Sequence, residues 1–305
     1  MKTNNRRTRW IHISDLQIGQ DTSDFADHDE LMEQLIAQVR AEQPDFVIHS
    51  GDHVHGAHFD DEKKLVTQWW RRYRRLVDRL ARQFPVYNCP GNHDQTRPGR
   101  SLEVYCRNIG RKGKQPYYAV TCRDVHLVLM DQLLRAGEHN WSDTGTTRLS
   151  HMGAFLPGST QDRWLRRHLA KGRRAKVMVA VGHWPIFASR FVYFDTDSSL
   201  RYDELTNHPG ILLPQLLEAE FDLYLCGHHH IYERSRHPRL MQVKTGSDGI
   251  AFKGMMRKPN RYAVLQDYRG GYTRFAFDPS SNRIHGEAVA YDGEVFDSWS
   301  QKAKN

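Results

Sequence analysis

Five short apolar runs in this chain each end in a turn that carries aspartate, asparagine or histidine. In chain order the turns are Asp15-Leu16-Gln17-Ile18-Gly19, Gly51-Asp52-His53-Val54-His55, Gly91-Asn92-His93-Asp94, Gly182-His183-Trp184-Pro185 and Gly227-His228-His229-His230. A short apolar run that ends in such a turn is typical of a buried strand. Ligand sites of α/β sheets lie at the carboxyl ends of the strands. The sequence therefore predicts that the five turns meet at one sheet edge.

The segments between the first three turns have the periodicity of helices. Apolar residues recur about every 3.6 positions in residues 25–41 and again in residues 60–84. The order strand, helix, strand, helix, strand favours parallel strands with right-handed crossovers, so we predict an α/β protein. Later in the chain we expect a hairpin over 117–130, helices at 159–169 and 211–220, strands at 176–181 and 223–225, and antiparallel strands of a second sheet after residue 240.

The sequence predicts one domain over residues 9–297, because it contains neither an internal repeat nor a linker. Residues 1–8 and 298–305 are expected to be loose ends. The stretches 95–115, 131–158 and 186–209 lack periodicity, so we predict loops there. Loops of this length inside a compact domain are often functional, and we expect them to determine specificity.

The charge balance favours an anionic partner without identifying one. The 305 residues include 44 Lys and Arg against 36 Asp and Glu, which gives a formal net charge of +8. The excess is concentrated in residues 71–82 and 163–176, where it also fits the solvated face of a helix. Nucleic acid is therefore an alternative partner that the sequence does not favour.

The four cysteines, Cys89, Cys106, Cys122 and Cys226, show no metal-ligand spacing, so we expect free thiols in a reducing compartment. The N-terminal segment lacks the apolar stretch of a signal peptide. No window approaches the roughly 18 apolar residues that a membrane span needs. We therefore expect a cytoplasmic protein without a membrane partner, and the oligomeric state stays open.

The five turns supply carboxylates, imidazoles and one amide but no thiolate. This donor set suits Mn, Fe or Zn. One carboxylate can bridge two ions, and two ions about 3.5–4 Å apart can clamp a phosphoryl group during its displacement. The expected cofactor is therefore a pair of divalent or mixed-valence metal ions.

The order of these turns resembles the calcineurin-like metallophosphoesterases, whose motifs are an Asp turn, Gly-Asp, Gly-Asn-His-Asp/Glu, Gly-His and Gly-His-x-His. All five are present between Asp15 and His230. Residues 227–235 are similar to the purple acid phosphatase branch, and Gly182-His183-Trp184-Pro185 is similar to its tartrate-resistant type. The resemblance implies a two-sheet mixed β-sandwich flanked by helices. It also implies a binuclear metal-dependent phosphoesterase.

The resemblance also implies roles for the site residues. The implied metal ligands are Asp52 as a bridge, Asp15 and His230 for the first ion, and Asn92, His183 and His228 for the second. His93 would act as general acid or stabilise the phosphoryl charge, and Asp94 would orient the imidazole of His93. The implied nucleophile is a hydroxide that bridges the metal ions.

Two positions depart from the family pattern. Gln17 stands where many members have histidine, and His55 stands where the purple branch has tyrosine. We hypothesise that His55 is a ligand of the first ion and that Gln17 contributes a weak carbonyl ligand or a hydrogen bond. In the alternative, His55 only hydrogen-bonds within its loop and the first ion is weakly held.

The other histidines near the turns have less definite roles. His12 and His49 are expected to pack within strands. His53 and His58 fit a surface position or a hydrogen bond beside the site as well as they fit metal ligation. His229 is expected to point away from its two neighbours, with a substrate contact as the alternative.

The leading functional hypothesis is hydrolysis of a phosphomonoester, with a small phosphorylated molecule as substrate. The alternative is a phosphodiesterase or nuclease, because the same pair of metal ions serves both reactions and the basic surplus suits nucleotides or nucleic acid. A third hypothesis is a non-catalytic relative that binds metal without turnover. The sequence identifies neither the natural ester nor the metal.

Overall fold

The computed structural model describes residues 6–19, 28–56, 63–95, 101–133, 158–172, 175–193, 212–247 and 254–304. Its helices are α1 (His28–Ala41), α2 (Lys63–Ala81), α3 (Glu103–Asn108), α4 (Thr160–Gly172) and α5 (Leu212–Glu218), and a 3₁₀ turn spans Asn92–Asp94. Its strands are β1 (Thr8–Ile13), β2 (Phe46–His49), β3 (Val86–Asn88), β4 (Tyr118–Cys122), β5 (Val125–Leu129), β6 (Val177–Val181), β7 (Arg190–Tyr193), β8 (Leu223–Cys226), β9 (Tyr232–His237), β10 (Leu240–Lys244), β11 (Gly254–Lys258), β12 (Ala263–Asp267), β13 (Gly271–Asp278), β14 (Arg283–Ala290) and β15 (Val295–Lys302).

The strands form two large sheets and one short pair. The first sheet has the order β15-β14-β13-β1-β2-β3, the second has the order β12-β9-β10-β8-β6-β5-β4, and β11 pairs with β7. Strands β1, β2 and β3 are parallel, as are β5, β6, β8 and β10. The other pairings are antiparallel. The predicted α/β fold with two mixed sheets is confirmed.

Alternation along the inner strands divides their side chains between two cores. In β1, Trp10 faces the core between the sheets, whereas Ile11 and Ile13 belong to the core under the helices. In β6, Val179 and Met178 divide in the same way. Parallel strands are apolar on both faces because both faces are covered. The molecule is therefore layered as helices, sheet, sheet and helices.

Helices cover the outer faces because their apolar residues repeat on one side. Leu35 of α1 and Trp70 of α2 are buried in one cluster with the first sheet. Leu165 of α4 and Leu216 of α5 are buried with Tyr224 of the second sheet. Each such side chain contributes roughly 1.5–3 kcal/mol to stability when it is buried.

Three expectations about loops and ends were wrong. Helix α3 lies in the predicted loop 95–115, and its 6 residues are too few to display a helical period. Strand β7 lies in the predicted loop 186–209, where it pairs with the distant β11. Residues 298–302 were predicted to be loose but complete β15, whose alternating burial pattern fits an edge strand. Residues 134–157 and 194–209 of the predicted loops, and His58, lie outside the described residues.

Other expectations concern the chain as a whole. The four cysteines are free, and three of them are buried. Within the part of the chain that the structure describes, no helix is long and apolar enough to cross a bilayer. The single domain over residues 9–297 stays a prediction.

Candidate metal centre

The carboxyl ends of parallel strands from both sheets meet at one place. Asp15, Asp52 and Asn92 follow β1, β2 and β3 in the first sheet, and His183 and His228 follow β6 and β8 in the second. The backbone amide of His228 donates across the sheets to both carboxylate oxygens of Asp15, each at 3.0 Å. The turns therefore meet at one place, but they come from two sheets and not from the single sheet edge that the sequence predicted.

Two groups of predicted ligands are each close enough to hold a metal ion. The first cluster consists of Asp15, Asp52 and His230, and the second cluster consists of Asp52, His183 and His228. Within each cluster the ligand atoms lie within 4.8 Å of one another. Asp52 belongs to both clusters, which is the position that a bridging carboxylate requires.

Hydrogen bonds hold the ligands of the second cluster. The Nδ1 of the buried His183 donates to the carbonyl oxygen of Ser50 at 2.8 Å, which leaves Nε2 facing the cluster. That Nε2 lies 3.2 Å from Asp52 Oδ2 and 3.1 Å from Asn92 Oδ1. Trp184 Nε1 donates to the same Asn92 oxygen at 3.2 Å. The predicted ligand Asn92 therefore directs its amide oxygen towards the second cluster.

The first cluster contains one half-buried histidine, as the second does. His230 Nε2 lies 3.9 Å from Asp15 Oδ1, and the His230 side chain is 21% exposed. The predicted ligand Gln17 lies beside this cluster, where its amide nitrogen donates to Asp52 Oδ2 at 3.0 Å. Because an amide nitrogen is a donor only, Gln17 in this orientation does not present a metal ligand.

His55 lies outside both clusters. Its Nδ1 is 3.0 Å from Gln17 Oε1, so that Gln17 links His55 to Asp52. Its ring stacks on that of His93, with the ring centroids 4.9 Å apart. This arrangement is closer to the alternative in which His55 supports the loop through a hydrogen bond than to direct ligation.

His93 lies on the solvent side of the clusters. Its backbone amide donates to Asp52 Oδ1 at 2.8 Å, and its Nε2 lies 3.9 Å from Asp52 Oδ2. Its side chain is 14% exposed, so that a molecule entering from solvent would meet the imidazole beside Asp52, the predicted bridge. The catalytic role of His93 remains a prediction.

Asp94 does not orient His93, and this prediction was wrong. Asp94 Oδ2 accepts from His53 Nδ1 at 2.8 Å and from the amides of Gly91 and Asp52 at 2.8 and 3.1 Å, while Oδ1 accepts from the amide of His53 at 2.9 Å. Consecutive side chains of a 3₁₀ turn point about 120° apart, so one faces inward and the other outward. Asp94 therefore ties together the two turns that carry Asp52, the predicted bridge, and Asn92, the predicted amide ligand.

Two glycines let the turns approach each other. A Cβ on Gly91 would lie 2.2 Å from the backbone nitrogen of Asp52. A Cβ on Gly227 would lie 1.9 Å from Ser14 Oγ and 2.1 Å from Asp15 Oδ2. Any larger residue at either position would push the ligand-bearing turns apart.

The backbone of the site is strained at the residues that face the clusters. Left-handed φ angles between 44° and 77° occur at Asp15, Gln17, Asp52, His228 and His230. Non-glycine residues persist in this region when the surrounding structure holds them, and they concentrate at functional sites. The strain therefore supports a functional role for this junction of the sheets.

The buried groups shift each other's pKa. Burial alone would raise the pKa of Asp52, but His183 and His93 outweigh burial and hold it well below its usual range. Burial alone would lower the pKa of His183, but Asp52 and Asp15 outweigh burial and raise it to about 9. Burial, and then the charge of His183, lowers the pKa of His228. A proton on His183 thus balances the charge of Asp52 where a metal cation would otherwise do so.

The residues fit the pair of metal ions that the sequence predicts. The donors are carboxylates, imidazoles and an amide oxygen, which suit Mn, Fe and Zn. Two buried carboxylates, Asp15 and Asp52, require a compensating positive charge at the same place. The Ser50 carbonyl fixes His183 in the way that residues behind a metal ligand commonly do.

A comparison with protein families adds an independent finding. Residues 8–232, well over half of the chain, match the model of the family described as Calcineurin-like phosphoesterase. The chain belongs to the calcineurin-like phosphoesterase family. The match includes every turn of the candidate site, and it confirms the resemblance that the sequence motifs indicated.

Acid phosphatase type 7 of Mus musculus is one curated relative of this calcineurin-like phosphoesterase. The two sequences are 23% identical, and the alignment covers 89% of this chain and 64% of the mouse protein. The chain thus spans slightly less than two thirds of the length of that relative.

Solved structures share the fold. The purple acid phosphatase PPD1 from yellow lupin (Lupinus luteus) seeds has a TM-score of 0.70 at 14% identity, covering 97% of this chain and 54% of that chain. A dimetal phosphatase from Danio rerio has a TM-score of 0.67 at 12% identity, covering 97% of this chain and 99% of that chain. The likeness shows the fold, and it agrees with the predicted sandwich flanked by helices.

Three residues that hold the site were not found from the sequence. Ser50 acts through a backbone carbonyl, which residue type does not reveal. Trp184 was visible within its turn, but its bond to Asn92 joins distant segments. His53 fitted several roles, and the structure buries it against Asp94.

Proposed function

We propose that this calcineurin-like phosphoesterase is a binuclear metal-dependent enzyme that hydrolyses a small phosphomonoester. The observation that carries the proposal is the pair of clusters that share Asp52, with ligand atoms within 4.8 Å of one another in each. Two ions joined by one carboxylate can bind the same phosphoryl group. Membership of the family and the acid phosphatase relative support this chemistry.

The proposed ligands follow the two clusters. The first ion would be held by Asp15, Asp52 and His230 with the Gln17 oxygen, and the second by Asp52, Asn92, His183 and His228. Gln17 would present Oε1 once its amide turns round, and His55 would hold that amide through Nδ1. When bound, ions of the Mn, Fe or Zn type supply positive charge that polarises the phosphoryl group and lowers the pKa of an attacking water.

His93 would protonate the leaving oxygen or stabilise the phosphoryl charge, because it borders the clusters from the solvent side. General acids contribute about 10²–10⁴-fold to a rate, so His93→Ala is expected to lower kcat by that factor while the metal content is unchanged. Rates with phenyl and nitrophenyl phosphates would distinguish the two roles. Nitrophenolate is a weakly basic leaving group that departs without a proton, so a smaller loss with nitrophenyl phosphate indicates proton donation by His93. An equal loss with both esters indicates charge stabilisation. An unchanged kcat for both esters would contradict any catalytic role.

The proposed reaction is tested with activated phosphomonoesters and phosphodiesters. Metal-free protein is reconstituted separately with Mn, Fe and Zn, and kcat/KM is measured for each ester. We expect hydrolysis with at least one metal and a kcat/KM for monoesters at least tenfold above that for diesters. Higher activity on diesters would favour the second candidate below. Absence of hydrolysis with every metal would overturn the proposal and favour a non-catalytic metal-binding relative.

The second candidate function is hydrolysis of phosphodiesters in nucleotides or nucleic acid, which one surface favours. Arg71, Arg75 and Arg82 are exposed on and just after α2, and they form no ion pair with any residue in the described ranges. Trp69, on the core-facing side of the same helix, lies beside His55 with ring centroids 6.4 Å apart, so the helix that carries these arginines borders the site.

The nucleic-acid function is tested by replacing Arg71, Arg75 and Arg82 with glutamate. Single-stranded DNA should bind the native protein at low salt, bind the variant much more weakly, and dissociate as salt rises, because arginine–phosphate contacts release counterions. If neither protein binds DNA at low salt, nucleic acid is excluded as the substrate.

We also propose that the protein acts in the cytoplasm and that residues 9–297 form one domain. The four free thiols support a reducing compartment. Alkylation of the protein from its native source should modify four thiols after unfolding without reductant, and a disulfide would contradict the location. Limited proteolysis should leave one resistant fragment, and two separately stable fragments would contradict the single domain.

A further inference from the structure

A buried ion pair lies behind the turn that presents two of the proposed ligands. Lys244, the last residue of β10, and Glu233 of β9 are both fully buried, and Lys244 Nζ lies 3.2 Å from Glu233 Oε1. Lys244 Nζ also lies 3.0 Å from Nδ1 of His229, the residue between His228 and His230. Because an ammonium group is a donor only, His229 Nδ1 is the acceptor.

The carboxylate of Glu233 ties this pair to a second ligand-bearing segment. It accepts hydrogen bonds from Ser189 Oγ, from Gln266 Nε2, and from Asn260 Nδ2 at 3.1 Å. Ser189 lies at the end of the buried segment 182–189, which begins beside His183. The ion pair thus connects the turn of His228–His230 with the buried segment that follows His183.

The turn in front of Lys244 needs such support. His228 and His230 have φ angles of 77° and 53°, a left-handed conformation that non-glycine residues hold only under external constraint. On one side the Asp15 carboxylate accepts the amide of His228. From β10 of the second sheet, Lys244 donates to the side chain of His229.

We propose that Lys244 is a positioning residue of the metal centre. Held by Glu233, its ammonium group fixes His229 and thereby the strained backbone that directs His228 and His230 towards the two clusters. The inference rests on the proposed function, because it concerns the affinity of the same metal site. Fully buried lysine and glutamate are rare unless paired, and the pair would add specificity of conformation to the turn.

A second buried ion pair provides a matched control. Arg234, the neighbour of Glu233 in β9, contacts Asp297 of β15 through Nε at 2.6 Å. Consecutive strand residues point to opposite faces, so this pair lies away from the metal turn. Loss of Arg234 would therefore destabilise the fold without disturbing the ligands.

The experiment compares Lys244→Met with Arg234→Met. Metal-free proteins are titrated with Mn²⁺ in competition with a chelator, and their thermal unfolding is recorded. Mutation of residues that support metal ligands commonly lowers metal affinity about 10–100-fold, so Lys244→Met is expected to weaken Mn²⁺ binding by about tenfold or more. Arg234→Met should lower the unfolding temperature with unchanged affinity. Equal effects on affinity, or unchanged affinity in Lys244→Met, would overturn the proposal.

His229→Phe tests the same contact and retains the Lys244–Glu233 ion pair, so it remains informative if Lys244→Met does not fold. It should weaken Mn²⁺ binding to a similar degree, and the double variant should be no weaker than Lys244→Met. Unchanged affinity in His229→Phe, or additive losses in the double variant, would overturn the route through His229. If the native protein binds two Mn²⁺ ions and both variants bind them with the same affinity, this inference alone is overturned. Native protein that binds none would overturn the proposed function and this inference with it.

Discussion

The two clusters share Asp52 but differ in how their other ligands are held. In the second cluster, His183 is buried and fixed by Ser50, and Asn92 is fixed by Trp184. In the first cluster, the neighbouring Gln17 turns its amide nitrogen, which cannot bind a metal ion, towards Asp52. The second cluster therefore has its proposed ligands already in position, whereas the first would have to turn the Gln17 amide before it offered an ion the same number of donors.

This difference predicts unequal affinities. Ligands that are held in the bound geometry lose little freedom when a metal binds, so the second cluster should bind first and more tightly. The first cluster has to break the Gln17–Asp52 hydrogen bond before the amide oxygen can serve. We expect the two binding steps to differ by at least about tenfold, which corresponds to about 1.4 kcal/mol.

The largest predicted effect comes from the shared residue. Asp52→Asn removes the charge common to both clusters, so tight binding of both ions should be lost. Because the ions stabilise several kcal/mol of charge in the transition state, kcat/KM should fall by about three orders of magnitude or more. Metal analysis and steady-state kinetics check this result. Retention of two tightly bound ions would show that Asp52 is not the bridge.

Removal of one histidine from each cluster should separate the two sites. His183→Ala is expected to abolish the tighter binding step, because it removes a proposed ligand that Ser50 holds in place. His230→Ala should leave that step within about threefold of native affinity and weaken the second by about tenfold or more. Calorimetric titration with Zn²⁺ measures both steps. Loss of the weaker step in His183→Ala, or loss of the tighter step in His230→Ala, would contradict the predicted order of affinities.

A smaller change should make the two sites more alike. Gln17→His places an imidazole where many family members have one, so binding at the first cluster should strengthen by about tenfold, and binding at the second should not change. His55→Ala should weaken only the first cluster, because its bond to the Gln17 amide is lost. Unchanged stoichiometry, affinities and activity in His55→Ala would exclude a role for His55.

The smallest effect concerns pH and the metal-free protein. The folded-state pKa of His183 is raised from 6.5 to about 9, so its stabilising contribution is complete below pH 6.5 and is lost as pH rises towards 9. The unfolding temperature should fall by on the order of 5 °C over that interval. The difference in unfolding temperature between metal-loaded and metal-free protein should increase over the same interval, since metal and proton compete for His183. His183→Asn is the control, and an equally steep fall in this variant would contradict the assignment.

Much of the site could be predicted because its residues follow apolar strands in the sequence. The positions of Asp15, Asp52, Asn92, His183 and His228 depend on strand ends and parallel pairing, which periodicity reveals. The failed assignment of Asp94 had a different cause. Its preference for His53 over His93 depends on the direction of successive side chains in one short turn, which residue spacing does not specify.

The remaining features depend on contacts between distant segments. The Gln17–His55 bond and the bond from Lys244 to His229 each form only after two strands have been placed together. The sequence showed that Gln17 and His55 depart from the family pattern, but not that they bind each other. Helix α3 was also missed because its 6 residues are too few to display a helical period, and β7 was missed because it pairs with the distant β11.

The central claim is that this junction of two sheets holds two metal ions of unequal affinity. Metal-free protein titrated with Zn²⁺ in a calorimeter, with the bound metal counted after gel filtration, tests it directly. The expected result is two ions per chain in two resolved steps, the tighter of which disappears in His183→Ala. A single ion, no ion, or two equivalent ions that His183→Ala does not affect would contradict it.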